Sequence, residues 1–476
     1  MSDSLLTRSA ALLFPCLSLA ACGDYPELSL TECEIGNGEK ALCGSLPVPE
    51  NWNRPGERTI ALNVVVIPAS EAAIQPPLVD LAGGPGLPAT GGTPFYVTDG
   101  SAYRRDRNVI LFDQRGTGHS APALCPSIGE AGTLTPMYPI DAVRDCVKTL
   151  SQTHDLSQYS SLSSVRDLEA VRAAVGAEQI DLFGMSYGTR LAQAYIRAYP
   201  RRVRSAVFIG TVAMDSKAPL PQAKNSESVL QAIFADCEND ASCADAFPDL
   251  RRQWETVNRL LRQGQVFMDV GNERRPIAPG PFMEAFRTIL TAESGQRTVP
   301  ALIAALSAGD ARPFLEMVAT GGPLQFAEGV YLSIECTEGT NRIRRTEIDA
   351  ATANTFLGRY RVDEQMRACS VWPATSVPES FFEPVTSDVP LLLVVGGRDH
   401  ATPAAYSASV AGHFSNSQLL VVEEMGHVPA GISNLECLDR IMLDFYAEPL
   451  AGPDTACVED MRAPPFAVRE VQASAD

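Results

Sequence analysis

The segment Leu182-Phe183-Gly184-Met185-Ser186-Tyr187-Gly188-Thr189 sets a serine inside a G-x-S-x-G pattern, between the strand-like run QID and the helix-like run LAQAYIRAYP. Glycines on both sides permit a sharp strand-to-helix turn that exposes the hydroxyl above a sheet, ready to attack a carbonyl carbon. A serine is a poor nucleophile at neutral pH, so it needs a base, and the base needs an orienting group. Five histidines are present, at 119, 154, 400, 413 and 427. An order of serine, acid, histidine along the chain leaves His400, His413 and His427. His427 stands in Met-Gly-His just past the strand-like run SQLLVVEE, whereas His413 lacks such a setting. In PLLLVVGGRDHATP a buried strand and a Gly-Gly turn place Asp399 at a strand's carboxyl end. Ser186, Asp399 and His427 are therefore the expected triad. The oxyanion of acyl transfer needs backbone N–H donors already in place. One is the amide of Tyr187; the other falls in LVDLAGGPGLPAT, where Gly83, Gly84 and Gly86 permit a tight turn and Gly84 is the favoured donor.

The runs TIALNVVVIP, PPLVDLAGG, NVILFDQRG, QIDLFG, RSAVFIG, PLLLVVGG and QLLVVEE are rich in Val, Ile and Leu with little alternation, as in a sheet covered on both faces. Helical patterns lie between them, such as SSVRDLEAVRAAVG with Val165, Leu168, Val171 and Val175 on one face and a serine start. This alternation predicts a mostly parallel α/β sheet flanked by helices. From 214 to 385 strand patterns vanish, and SVLQAIFADC, RRQWETVNRLLRQG, PFMEAFRTIL and VPALIAALSAG read as an all-helical cap inserted into the core. The expected division is a leader over 1–21, core over 22–213, cap over 214–385, core again over 386–460, and a loose tail over 461–476. In DQRGTGHS, Asp113 and Arg115 are expected to form a structural ion pair, with His119 a loop histidine.

The 476 residues, 45% hydrophobic, suffice for a large core and more than one domain. A net charge of −19 argues against nucleic acid or an anionic membrane surface as an electrostatic partner. Arg8 and the short apolar run ALLFPCLSLAAC read as an export signal. Leu19-Ala20-Ala21-Cys22 looks like a bacterial lipobox that would lipidate Cys22 and anchor an exported lipoprotein to a membrane of the cell envelope; ordinary cleavage after Ala20 would release a soluble protein. Of twelve cysteines, setting aside Cys16 and Cys22 leaves an even set. Sequence neighbours suggest Cys33–Cys43, Cys125–Cys146, Cys237–Cys243, Cys336–Cys369 and Cys437–Cys457 as disulfides. No CxxC spacing is present, so a metal site is not expected.

Together GGPG, DQRGTGHS, GMSYGT, GGRDHATP and MGH resemble the α/β-hydrolase serine peptidases that include prolyl aminopeptidases and, more closely, secreted tripeptidyl aminopeptidases. The likeness spans nearly the whole mature chain, including CGSLPVPENWNRPG, the cap segment CENDASCADAFPDL and the cysteines at 437 and 457. Prolyl aminopeptidases usually carry histidine before GGPG, and Ala82 here departs from that pattern. The resemblance implies an α/β-hydrolase fold without cofactor, releasing mono- or tripeptides from peptides with a free N-terminus through an acyl-enzyme. It also implies that an acidic cap residue holds the substrate's ammonium group, and SIECTEG supplies Glu338 as first candidate and Glu335 as second. An esterase or lactonase on the same scaffold stays open, as does a non-catalytic envelope binding protein. The number of residues released, the membrane involved and the oligomeric state are not legible.

Overall fold

The computed structural model describes residues 27–122, 124, 125, 128, 134–271, 273–320 and 326–468. The expected leader, Cys22 and the last eight residues of the expected tail lie outside them. The strands are β1 (Leu30–Ile35), β2 (Glu39–Pro49), β3 (Thr59–Ile67), β4 (Leu78–Leu81), β5 (Val109–Phe112), β6 (Ile180–Met185), β7 (Val203–Ile209), β8 (Phe267–Val270), β9 (Glu273–Pro276), β10 (Leu391–Gly396) and β11 (Ser417–Val422). Nine form one sheet in the order β1-β2-β3-β5-β4-β6-β7-β10-β11. Pairing is antiparallel from β1 through β3 to β5, and parallel from β5 to β11.

Both faces of the central strands are covered, which explains their unbroken apolar runs. In β5, Ile110 and Phe112 enter one apolar cluster while Val109 and Leu111 enter the cluster on the opposite face. The helix Ser161–Ala174 begins two residues before the run SSVRDLEAVRAAVG, and its cap is Ser160, whose side chain accepts from the Ser163 N–H. Between β7 and β10 the chain forms helices including Gln222–Asn239, Leu250–Arg262, Pro279–Ile289, Val299–Ser307, Glu328–Glu338 and Tyr360–Cys369. Several of them share an apolar cluster of their own, built around Trp254, Phe282, Phe286 and Phe314.

Three expectations need correction. The insertion is not wholly helical, because β8 and β9 form an antiparallel hairpin within it. The part of the tail that is described is not loose. Met461 packs in the core beneath the sheet, Phe466 is buried in the insertion's cluster under the Arg297 guanidinium, and the Ala467 N–H donates to the Arg297 carbonyl. Finally, Asp113 and Arg115 do not pair with each other. Arg115 makes a two-pronged contact with buried Asp167 at 2.6 and 2.7 Å, and Asp113 accepts from Thr90, Asn63 and the His119 N–H. Each partner comes from a different element, so both residues tie loops to the sheet.

The disulfides join Cys33–Cys43, Cys125–Cys146, Cys237–Cys243, Cys336–Cys369 and Cys437–Cys457. No described helix is long and apolar enough to cross a membrane.

Candidate active site

Ser186 sits between β6 and the helix Tyr187–Ala198 with φ 54° and ψ −122°, a conformation that non-glycine residues rarely adopt. The Ser186 N–H donates to the Ile209 carbonyl on β7, and the Thr189 hydroxyl donates back to the Ser186 carbonyl, which hold the turn in place. The flanking glycines are sterically required. A Cβ on Gly188 would lie 1.8 Å from the Leu81 carbonyl oxygen, and one on Gly184 would lie 3.0 Å from the Gly188 backbone.

The loops after β10 and β11 bring the other two residues together. Gly396 and Gly397 allow these loops to touch, since their Cβ atoms would come within 2.1 Å of the Met425 and 2.4 Å of the Glu423 carbonyl oxygens. Asp399 Oδ2 accepts from His427 Nδ1 at 2.8 Å and from the Thr402 hydroxyl at 2.7 Å, while Oδ1 accepts from the N–H groups of Ala401 and Thr402, both at 2.8 Å. Burial pushes the Asp399 carboxyl up, but the His427 ring and the Thr402 donors outweigh it and hold the group below its ordinary value. It stays ionised and keeps the imidazole's proton on Nδ1, leaving Nε2 free to act as a base. Gly210, at the end of β7, gives the ring its space: a Cβ there would lie 3.0 Å from His427 Cε1.

Ser186 and His427 open on one cavity of about 440 Å³, whose wall near them includes Gly83, Gly84 and Tyr187. A Cβ on Gly83 would lie 3.2 Å from that of Ser186, and Gly84 has φ +110°, which favours glycine. Tyr187 opens its helix, where a backbone N–H has no partner four residues back. Its phenol hydrogen-bonds the Ser161 hydroxyl at 2.8 Å, and burial pushes its ionisation well up.

The two acidic candidates sit differently. Glu338 does not border the cavity: it is fully buried, accepting from the Ser161 N–H and hydroxyl, both at 2.8 Å, with the Arg190 guanidinium 3.9 Å away. Glu335, one turn earlier on the helix Glu328–Glu338, does border the cavity. Among the described residues its Oε2 has no hydrogen-bond partner. Burial pushes its carboxyl up to about 7; Arg190 and Arg361 pull it down and Glu338 adds to the rise. Glu284 and Glu328 also border the cavity; Glu284 accepts from Arg287 and Arg361 through Oε1, while its Oε2 has no hydrogen-bond partner among the described residues.

Two further residues beside Asp399 and His427 were assigned no role from the sequence. Thr402 bridges Asp399 and lies 3.2 Å from His427 Nδ1; its place in Asp-x-x-Thr after a strand was the available clue. His400 borders the cavity, with Ser226 and Thr291 hydroxyls 3.2 and 3.4 Å from its ring nitrogens. Burial and the Arg287 charge hold it well below the ordinary histidine value, so it stays neutral. His413 is exposed and away from this cavity.

The family described as alpha/beta hydrolase fold matches residues 76–285, and that described as TAP-like protein matches residues 354–457. Serine protease Hip1 of Mycobacterium tuberculosis is 31% identical over 225 residues, 43% of this chain and 42% of that protein, so the match spans less than half of the relative's length. Tripeptidyl aminopeptidase of Streptomyces lividans is 24% identical over 445 residues, 84% of this chain and 80% of that protein. Among solved structures, the proline iminopeptidase of Mycobacterium smegmatis matches at 18% identity and a TM-score of 0.42, covering 85% of this chain and 98% of that one. Ser186 lies in the segment that matches the alpha/beta hydrolase fold family, and Asp399 and His427 lie in the TAP-like segment, so the chain is similar to α/β-hydrolases across both parts.

Proposed function

We propose that this protein is an exported serine aminopeptidase that releases short N-terminal pieces from peptides through an acyl-enzyme. Ser186 Oγ attacks the peptide carbonyl, and its proton passes to His427 Nε2 while Asp399 holds the ring and balances the imidazolium. The amides of Gly84 and Tyr187 receive the oxyanion, a contribution on the order of 3 kcal/mol per donor. As the intermediate collapses, His427 gives the proton to the departing amine. Water then repeats the sequence on the ester and frees Ser186.

One observation carries the peptidase reading: the cavity that receives Ser186 and His427 is also bordered by Glu335, a buried carboxylate whose Oε2 has no hydrogen-bond partner among the described residues. An ionised carboxylate at a set distance from the nucleophile selects a protonated α-amine and measures how many residues precede the cut. Relatives named tripeptidyl aminopeptidase and proline iminopeptidase favour the same reading. Five disulfides favour an oxidising compartment, and lipidation at Cys22 would hold the protein at the envelope.

The test is incubation with matched free and N-acetylated peptides, reading product masses against a Ser186→Ala control. Loss of mono- or tripeptides from the free-amine set alone, absent in the control, is expected. Ser186-dependent turnover of simple esters with neither peptide cleaved would make the protein an esterase.

A further inference from the structure

The insertion's segment Leu290–Gln296 grips both loops that bear the acid and the base. The His427 N–H itself donates to the Thr291 carbonyl at 2.8 Å, and the Val428 N–H donates to the same oxygen at 3.2 Å. Ala292 and Val428 form a parallel bridge, and the Ser294 N–H donates to the Ala430 carbonyl. Gly426 makes this approach possible, since a Cβ there would lie 2.8 Å from the Thr291 carbonyl oxygen and 3.1 Å from Gln296 Nε2. Buried Gln296 closes the arrangement. Its Nε2 donates to the Leu290 carbonyl at 2.8 Å and to the carbonyl of Arg398, the residue before Asp399, at 3.1 Å. Gln296 is not part of the cavity wall, so it touches no substrate.

We propose that Gln296 is a positioning residue for this hydrolase: one side-chain amide spans the insertion and the Asp399 loop beside Gly426, and so sets the spacing between Asp399 and His427. The backbone of the base is thereby held by the insertion as well as by the hydrolase core. This rests on the reading of Ser186, His427 and Asp399 as the catalytic triad. Replacing the amide by an apolar group of similar length leaves the Arg398 and Leu290 carbonyls without that donor and frees the two loops to move apart. Misplacement of a base by a fraction of an ångström to an ångström lowers the rate between about tenfold and 100-fold.

The experiment compares wild type, Gln296→Met, Ser186→Ala and Leu302→Ala, the last a buried position in the insertion's own cluster, away from both loops. Each is assayed for the rate of phosphonylation by a fluorophosphonate, in which the Ser186 Oγ–P bond forms as fluoride leaves and the proton goes to His427. Each is also assayed for kcat and KM on the best substrate found for wild type. Wild-type phosphonylation that does not depend on Ser186 would sink the triad reading itself. With that reading intact, Gln296→Met should lose between about tenfold and 100-fold in phosphonylation rate and kcat. KM should stay within about twofold, while Leu302→Ala keeps both rates. An unchanged rate in Gln296→Met, or equal losses in both insertion variants, overturns the proposal. If Gln296→Met does not fold, Gln296→Asn, too short to reach both carbonyls, is read by the same outcomes.

Discussion

Replacing Glu335 by glutamine should make the protein more stable and less active at the same time, and both magnitudes follow from its place in the cavity. The folded-state carboxyl is raised from 4.5 to about 7, chiefly by burial. A raised acid binds its proton more tightly in the folded than in the unfolded chain, so stability is highest below the unfolded value and falls as pH rises toward the folded one. At about 1.4 kcal/mol per pH unit the ionised carboxylate costs roughly 3 kcal/mol at pH 8 and under about 1 kcal/mol at pH 5. Glutamine has the same shape and no charge to bury. Glu335→Gln should therefore melt a few degrees above wild type at pH 8, and the gap should shrink at pH 5. Activity moves the other way. A charge-assisted hydrogen bond to the substrate's ammonium is worth about 1.5–3 kcal/mol, so kcat/KM on free-amine peptides should fall roughly 10- to 150-fold. Ester hydrolysis, which involves no ammonium, should hardly change. An unchanged kcat/KM on free-amine peptides would remove Glu335 as the anchor, and a melting difference independent of pH would refute the account of its burial.

Other consequences can be checked with the same preparation. Anchoring needs Glu335 ionised, above about 7, and an α-amine protonated, below about 8. KM for free-amine peptides should be lowest between those values and rise on both sides, while KM for a simple ester shows no alkaline rise. Thr402→Val removes the 2.7 Å donor to Asp399 Oδ2, and kcat should drop about tenfold with little change in KM, since one hydrogen bond to a charged group is lost. Phe466→Ala empties a buried site between the C-terminal segment and the insertion; hydrogen exchange in the helix Pro279–Ile289 should report a local loss of about 3 kcal/mol.

Strands β3 to β7 and β10 were visible in the sequence because burial makes them nearly continuous apolar runs, whereas β11 was read from its Leu and Val content although only Val422 in it is buried. The proposed triad could be read for a related reason: a loop at a strand end needs only local geometry, and the glycines at 184, 188, 396 and 397 mark where chains crowd. β1 and β2 escaped because one face of each is largely exposed, and Pro47 and Pro49 interrupt the pattern of β2. β8 and β9 are short, and β9 is fully exposed.

The pair Glu335 and Glu338 shows where local reading stops. Three residues apart on one helix, they lie on nearly the same face, and neither periodicity nor type separates them. Ser161, 177 residues away in sequence, separates them by donating twice to Glu338, while Glu335 keeps an oxygen without a hydrogen-bond partner among the described residues beside the cavity. Gln296 is hidden in the same way, because its two acceptors are Leu290 and Arg398, and only folding brings Arg398 within reach. A motif exposes groups whose work is defined by their own turn of backbone. Where the work is defined by a distant partner, as at Glu335 and Gln296, the useful signal in the folded chain is a buried polar group together with what does, or does not, satisfy it.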